Sequence, residues 1–150
     1  TLFDNPVLRT IIRHFQAVPI DRGFGKEGLQ TVLAELDRGR AVLVFPEGER
    51  THTGELQPLK PGISLLLRRV TCPVVPAGVA GAFAAWPRHA KWPLPGPLPL
   101  PDAGRSIAVA FGPPLDPARF HGRDRDAALS ELLTAVRSAY ISAEKVRRKS

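Results

Sequence analysis

An α/β fold, a mostly parallel sheet flanked by helices, is what this chain of 150 residues predicts. Three observations carry it. Ala41-Val42-Leu43-Val44 is a short apolar run bounded by Gly39 and Pro46, the mark of a buried strand. A second apolar run, Val74-Val75-Pro76-Ala77-Gly78-Val79, reads as another strand. Between them, Ile63, Leu65, Leu66 and Leu67 lie on a helix that starts near Pro61. Strand, helix, strand over about 40 residues is the pattern of a right-handed crossover between parallel strands.

The other elements follow in chain order. Asn5 and Pro6 have the chemistry of an N-cap and first helical residue. Leu8, Ile11, Ile12 and Phe15 keep helical spacing up to about Gln16. Val18-Pro19-Ile20 is a short strand that proline confines to an edge or a strand start. Asp21-Arg22-Gly23 turns the chain into an amphipathic helix carrying Leu29, Val32, Leu33 and Leu36, and Gly39 suits its C′ position. Residues 81–105 form a proline-rich excursion with Trp86 and Trp92, either a packed surface loop or a segment facing membrane or acyl chain, since tryptophan suits a half-wet interface. Ile107 to Phe111 form a last strand. Asp124 caps a long final helix with Leu129, Leu132, Leu133, Val136 and Tyr140 on one face. Its basic end complements the helix dipole.

Length and composition fit a single domain, residues 1–150, with a sizeable core. One cysteine, Cys72, excludes an intrachain disulfide and fits a reducing compartment; ahead of a strand it reads as a small buried filler. No Cys/His cluster has metal-ligand spacing. No run of about 18 apolar residues is present, so membrane contact by this segment is expected to be peripheral. The net charge of +7 invites nucleic acid, an anionic membrane surface or a phosphorylated substrate. No aromatic–basic pattern or recognition helix supports nucleic acid. The chain starts at Thr1 directly in helix-forming sequence, as a piece of a longer protein would.

The most informative stretch is Phe45-Pro46-Glu47-Gly48-Glu49-Arg50-Thr51, at the end of the first apolar run. In an open α/β sheet, ligands bind beyond the carboxyl ends of strands. Gly48 lets backbone approach a ligand closely. Arg50 offers a planar fork of donors for phosphate. Glu47 can orient that arginine or accept hydrogen bonds from a substrate hydroxyl. A plain β-turn with a surface Glu–Arg pair is the competing reading.

Taken in order, these landmarks resemble the glycerolipid acyltransferase family, which includes the 1-acylglycerol-3-phosphate acyltransferases. Asn5-Pro6 through Ala17-Val18-Pro19-Ile20-Asp21-Arg22 looks like the helix and second block of the family. Phe45 to Thr51 resembles its third block, Phe-Pro-Glu-Gly-Thr-Arg-Ser. Leu59-Lys60-Pro61-Gly62 is similar to the Phe-Lys-x-Gly that follows, and Val74 to Val79 looks like the fourth block. Phe111-Gly112-Pro113-Pro114-Leu115 is similar to the closing segment. The resemblance implies a glycerol-phosphate acyltransferase-like sheet with helices. It implies transfer of a fatty acyl group from acyl-coenzyme A or acyl carrier protein to a hydroxyl of lysophosphatidate or a related glycerol-phosphate lipid, in phospholipid biosynthesis. Arg22, Arg50 and Lys60 would bind the acceptor phosphate, Glu47 its glycerol hydroxyls, and Gly48 would allow close approach. No metal or redox cofactor is implied. The expected setting is the cytoplasmic face of a membrane with an anionic surface.

Two departures bear on that reading. The family's general base, the histidine of a His-x-x-x-x-Asp block, precedes the second block, and this chain begins after that point, so the segment alone is expected to be inactive. Glu49 stands where the family has threonine, placing a second carboxylate beside the phosphate site and pointing also to an amine-bearing acceptor. His121 and Asp126 satisfy the spacing but lie at the start of the last helix, where Asp124 and Asp126 are explained as cap and first-turn acids. Rival classes are a non-catalytic phospholipid-binding module and a basic domain that adheres to membrane or nucleic acid.

Overall fold

Two compact units, residues 1–41 and 42–150, make up the chain. The structure, a computed structural model, describes residues 26–87 and 106–149. The expected first helix and edge strand, Arg22 and Trp92 lie outside the described residues.

In the first unit, α1 (Lys26–Asp37) buries Leu29 and Val32, two of the four residues whose spacing predicts it. Gly39 ends it with φ +75°, and its N–H donates to the Leu36 carbonyl at 2.9 Å. A left-handed residue there satisfies a carbonyl the helix leaves open.

The second unit contains α2 (Gly62–Leu67), β1 (Ala77–Ala80), α3 (Ala82–Ala85), β2 (Ala108–Phe111), a 3₁₀ turn (Pro117–Arg119) and α4 (Arg125–Arg147). The strands β1 and β2 are antiparallel, with Ala77 opposite Phe111 and Val79 opposite Val109. Val74 and Leu115 exchange two backbone hydrogen bonds beyond them, and Gly112 N–H donates to the Pro76 carbonyl. These bonds commit the second apolar run to the chain that follows β2. The first run, 41–44, has no ladder partner among the described residues. Its side chains still alternate: Val42 and Val44 are half-buried, while Leu43 and Phe45 are 76% and 69% exposed.

The helix α4 packs across β1 and β2 and touches α2. Its approach is close because the strand offers almost no side chain. A Cβ on Gly78 would lie 2.2 Å from the Tyr140 nitrogen. The buried residues of α4 are Ala128, Leu132, Val136, Ala139 and Ala143. This corrects the sequence-based face. Leu132 and Val136 hold their places, but Leu129, Leu133 and Tyr140 are only half-buried, because a helix this near the sheet needs small residues at the seam. Val79, Val109 and Phe111 stand on the opposite face of the pair and are exposed. Cys72 is half-buried rather than buried. Among the described residues, no helix is long and apolar enough to cross a membrane.

The entry to α4 is capped as its sequence predicts. The Asp124 carboxylate accepts from the N–H groups of Asp126 and Ala127 at 3.0 and 3.4 Å. Those backbone donors, Asp126 first, hold its pKa below the ordinary value. Glu131 then ties Arg119 of the 3₁₀ turn and Arg123 to the helix, at 2.7 and 2.9 Å.

Two predictions follow from the seam and the cap. Gly78→Ala forces backbone apart and should cost about 3 kcal/mol in urea unfolding. Gly122→Ala, where φ is +71° but no atom lies within 4 Å, should cost only about 1 kcal/mol. Equal losses would show that α4 does not rest on Gly78. The cap has a pH signature as well. A carboxyl whose folded pKa is depressed stabilises above its unfolded value and loses that contribution as pH falls through the folded one. Asp124→Ala should therefore lower the Tm at pH 7, and the gap from wild type should close in acid.

Candidate functional site

The stretch Phe45 to Thr51 forms a turn whose geometry depends on Lys60. Gly48 has φ +75°, a conformation that side chains disfavour, and its N–H donates to the Phe45 carbonyl at 3.1 Å. Lys60 N–H donates to the Pro46 carbonyl at 2.9 Å. The stem of Lys60 lies over Gly48, where a Cβ would be 3.0 Å from its Cγ. Gly48 thus permits a close approach, but the group that approaches is Lys60 of the same chain.

The segment between turn and lysine is held from inside. Glu47 Oε2 accepts the Gln57 N–H at 2.7 Å. Thr51 Oγ1 accepts from Gly54 N–H at 3.0 Å, from Thr53 N–H and from the Gln57 side-chain amide. These bonds replace the ladder that a loop lacks. Through the backbone of Gln57, Glu47 braces the loop.

A cleft of about 260 Å³ opens beside this turn, lined by Glu47, Glu49, His52, Gln57 and Lys60 with flanking prolines and Leu59. Lys60 Nζ lies 3.5 Å from Glu49 Oε1, and His52 Nε2 lies 3.9 Å from Glu49 Oε2. Glu49 therefore sits against the cation beside it. Both partners are exposed, so the pair is screened and weak. Its chemical effect is to set two carboxylates and one ammonium around the cleft.

Arg50 is not among the residues lining that cleft. Its guanidinium lies over the ring of Trp86, 5.2 Å from the centroid. The structure thus brings Glu47, Gly48, Glu49 and Lys60 together, sets Arg50 against the segment after α3, and leaves Arg22 outside the described residues. Sequence reasoning missed Trp86 as a neighbour of this turn. Its only signal was an aromatic ring in a proline-rich stretch, which does not say what packs on it.

The His121 and Asp126 pair has a different setting. His121 Nε2 lies 3.0 Å from the Val70 carbonyl oxygen, so that nitrogen must carry the proton. Asp126 meets Arg125 at 3.1 Å. The imidazole and the carboxylate thus turn to different partners. A second cleft, about 340 Å³, lies along Tyr140, Ile141, Glu144, Lys145 and Arg148 of α4 and the residue after it. Arg147 foremost, with Arg148, holds the Glu144 carboxyl below the usual range there. Among the described residues, no group of three or more His, Cys, Asp or Glu could hold a metal ion.

Comparison with known proteins adds independent findings. The model of the Acyltransferase family matches residues 1–80. A 1-acyl-sn-glycerol-3-phosphate acyltransferase of Cocos nucifera is 31% identical over 65 residues, which are 43% of this chain and 21% of that protein. The match thus spans about a fifth of the relative's length. No solved structure matches. Since residues 1–80 are more than half of the chain and include the whole turn closed by Lys60, the chain belongs to the Acyltransferase family, as its resemblance to the glycerolipid acyltransferases implies.

Proposed function

We propose that this chain is the acceptor-binding part of a lipid acyltransferase. The reaction is transfer of a fatty acyl group from an acyl-coenzyme A or acyl carrier protein thioester to a hydroxyl of lysophosphatidate or a related glycerol-phosphate lipid. The observation that carries the reading is the interlock of Gly48 and Lys60, which holds a cation at a pinned turn within the family match. A cation held by backbone geometry loses little further freedom on meeting a phosphate.

In this reading the acceptor oxygen attacks the thioester carbonyl, the C–S bond breaks, and the thiol leaves with a proton. Arg50, Lys60 and Arg22 neutralise the acceptor phosphate, and Glu47 keeps the loop in shape for it. The general base belongs to a His-x-x-x-x-Asp block, and the only such spacing in residues 1–150 is His121 to Asp126. The same proposal includes the parallel α/β sheet. It is supported by the strand-like alternation at residues 42–45 and by the exposed apolar face of Val79, Val109 and Phe111, which suits a further packed layer. A second acceptor class is favoured by Glu49. Its carboxylate beside Lys60 and His52 reduces the positive charge met by a phosphate and suits a lipid that also carries an amine.

The acylation prediction concerns a thiol-release assay on the full-length protein with acyl-coenzyme A and lysophosphatidate. Arg50→Ala should raise the acceptor KM by about thirtyfold, equivalent to about 2 kcal/mol, and leave the donor KM unchanged. Arg22→Ala should behave likewise, and unchanged acceptor kinetics in both would overturn the phosphate assignment. Residues 1–150 alone should release no thiol; turnover lost on His121→Ala would move the base to His121.

Membrane association belongs to the same proposal. Lys145 and Lys149 are exposed at the end of α4 and just beyond it. Each should add about 1 kcal/mol to binding of vesicles rich in phosphatidylglycerol, an attraction that salt weakens. Equal sedimentation with neutral and anionic vesicles would remove the anionic surface as a partner.

A further inference from the structure

Trp86 follows α3, a single turn that is unusually well fixed for its length. Gly81 starts it with φ +82°, and a Cβ there would lie 2.1 Å from the Ser106 carbonyl oxygen. Ala85 is buried, and Trp86 N–H donates to the Ala82 carbonyl at 2.8 Å. The loop that carries Arg50 meets this turn at two points. A Cβ on Gly54 would come within 3.1 Å of the Phe83 ring, and the Arg50 guanidinium lies over the Trp86 ring. Two aromatic residues on one face of a pinned turn thus meet two positions of the same loop.

We propose that Trp86 is a positioning residue for Arg50, setting the direction from which its guanidinium meets the acceptor phosphate. This rests on the reading of Arg50 as a phosphate ligand. The Arg50 Cζ lies 5.2 Å from the Trp86 ring centroid, and the cation–π attraction between them restrains the side chain. An arginine side chain is long and rich in rotamers, and confinement before binding removes part of the entropy lost on complex formation. Trp86 is 44% exposed.

The test is a double-mutant cycle in the full-length protein with acyl-coenzyme A and lysophosphatidate. Trp86→Ala should raise the acceptor KM about fivefold, the size of one exposed cation–π contact, with the donor KM unchanged. Trp86→Phe, which keeps a ring, should restore most of that loss. In the Arg50→Ala background, Trp86→Ala should add nothing further. If Trp86→Ala has the same effect in both backgrounds, or raises the donor KM equally, the positioning role is overturned while the phosphate role of Arg50 stands. If Arg50→Ala itself leaves the acceptor KM unchanged, the phosphate reading fails, and this inference fails with it. A direct measurement covers the case of a poorly folded alanine variant. In full-length protein with every tryptophan except Trp86 replaced by phenylalanine, glycerol 3-phosphate should change Trp86 emission in a saturable way, and the response should vanish in Arg50→Ala. Emission indifferent to glycerol 3-phosphate would overturn the proposal.

Discussion

Backbone against backbone at Gly78 is the contact on which the second unit turns. With no Cβ to separate them, β1 comes so near α4 that Tyr140 N would sit inside the space of a methyl group. Everything downstream inherits that choice. Small residues line the seam of the helix, β2 follows β1 through their ladder, and the Val74–Leu115 bridge carries the pairing to the start of the second apolar run. The chain leaving β1 is then fixed in direction by Gly81, another position where a side chain has no room. These steric restrictions direct the turn α3 and Trp86, and the hydrogen bond from Trp86 N–H to the Ala82 carbonyl closes the turn.

The motif turn is built on the opposite logic. It has little buried apolar surface, and its shape comes from hydrogen bonds that begin and end within residues 45–60. Two of its polar side chains, Glu47 and Thr51, hold neighbouring backbone N–H groups. This division of labour explains how exposed residues keep a defined geometry. Backbone donors bound to a carboxylate make strong, directional restraints. Lys60 closes the turn through both its backbone and its stem, so the charge it carries at the cleft depends on Gly48 remaining a glycine.

Charge at the cleft is more balanced than the net charge of the chain suggests. Lys60 faces Glu49, and Arg50 lies over an aromatic ring. The basic excess lies elsewhere, in part at the end of α4, where Arg147 and Arg148 share Glu144. Net charge alone therefore says little about which anion the cleft accepts. Local pairing decides that, and Glu49 is the residue at which the cleft departs from the family pattern.

Much of this was legible from residue order. Leu29 and Val32 mark the buried side of α1, Gly39 its end, Asp124 the start of α4, and the 107–111 run its strand, because capping and periodicity are local properties of the chain. The heptapeptide at 45–51, with Lys60 after it, also identified the family. What the sequence could not decide was which surfaces meet. Strand partners are chosen by contacts far apart in the chain, so the antiparallel pairing of β1 with β2 was not readable from two apolar runs and a helix between them. The seam of α4 keeps Leu132 and Val136 from the expected face but takes Ala128, Ala139 and Ala143 in place of Leu129, Leu133 and Tyr140 for the same reason: periodicity finds apolar residues, but only the nearness of Gly78 selects alanines. The cation–π contact of Arg50 with Trp86 joins residues 36 positions apart, and only the tertiary structure could bring that ring to that cation.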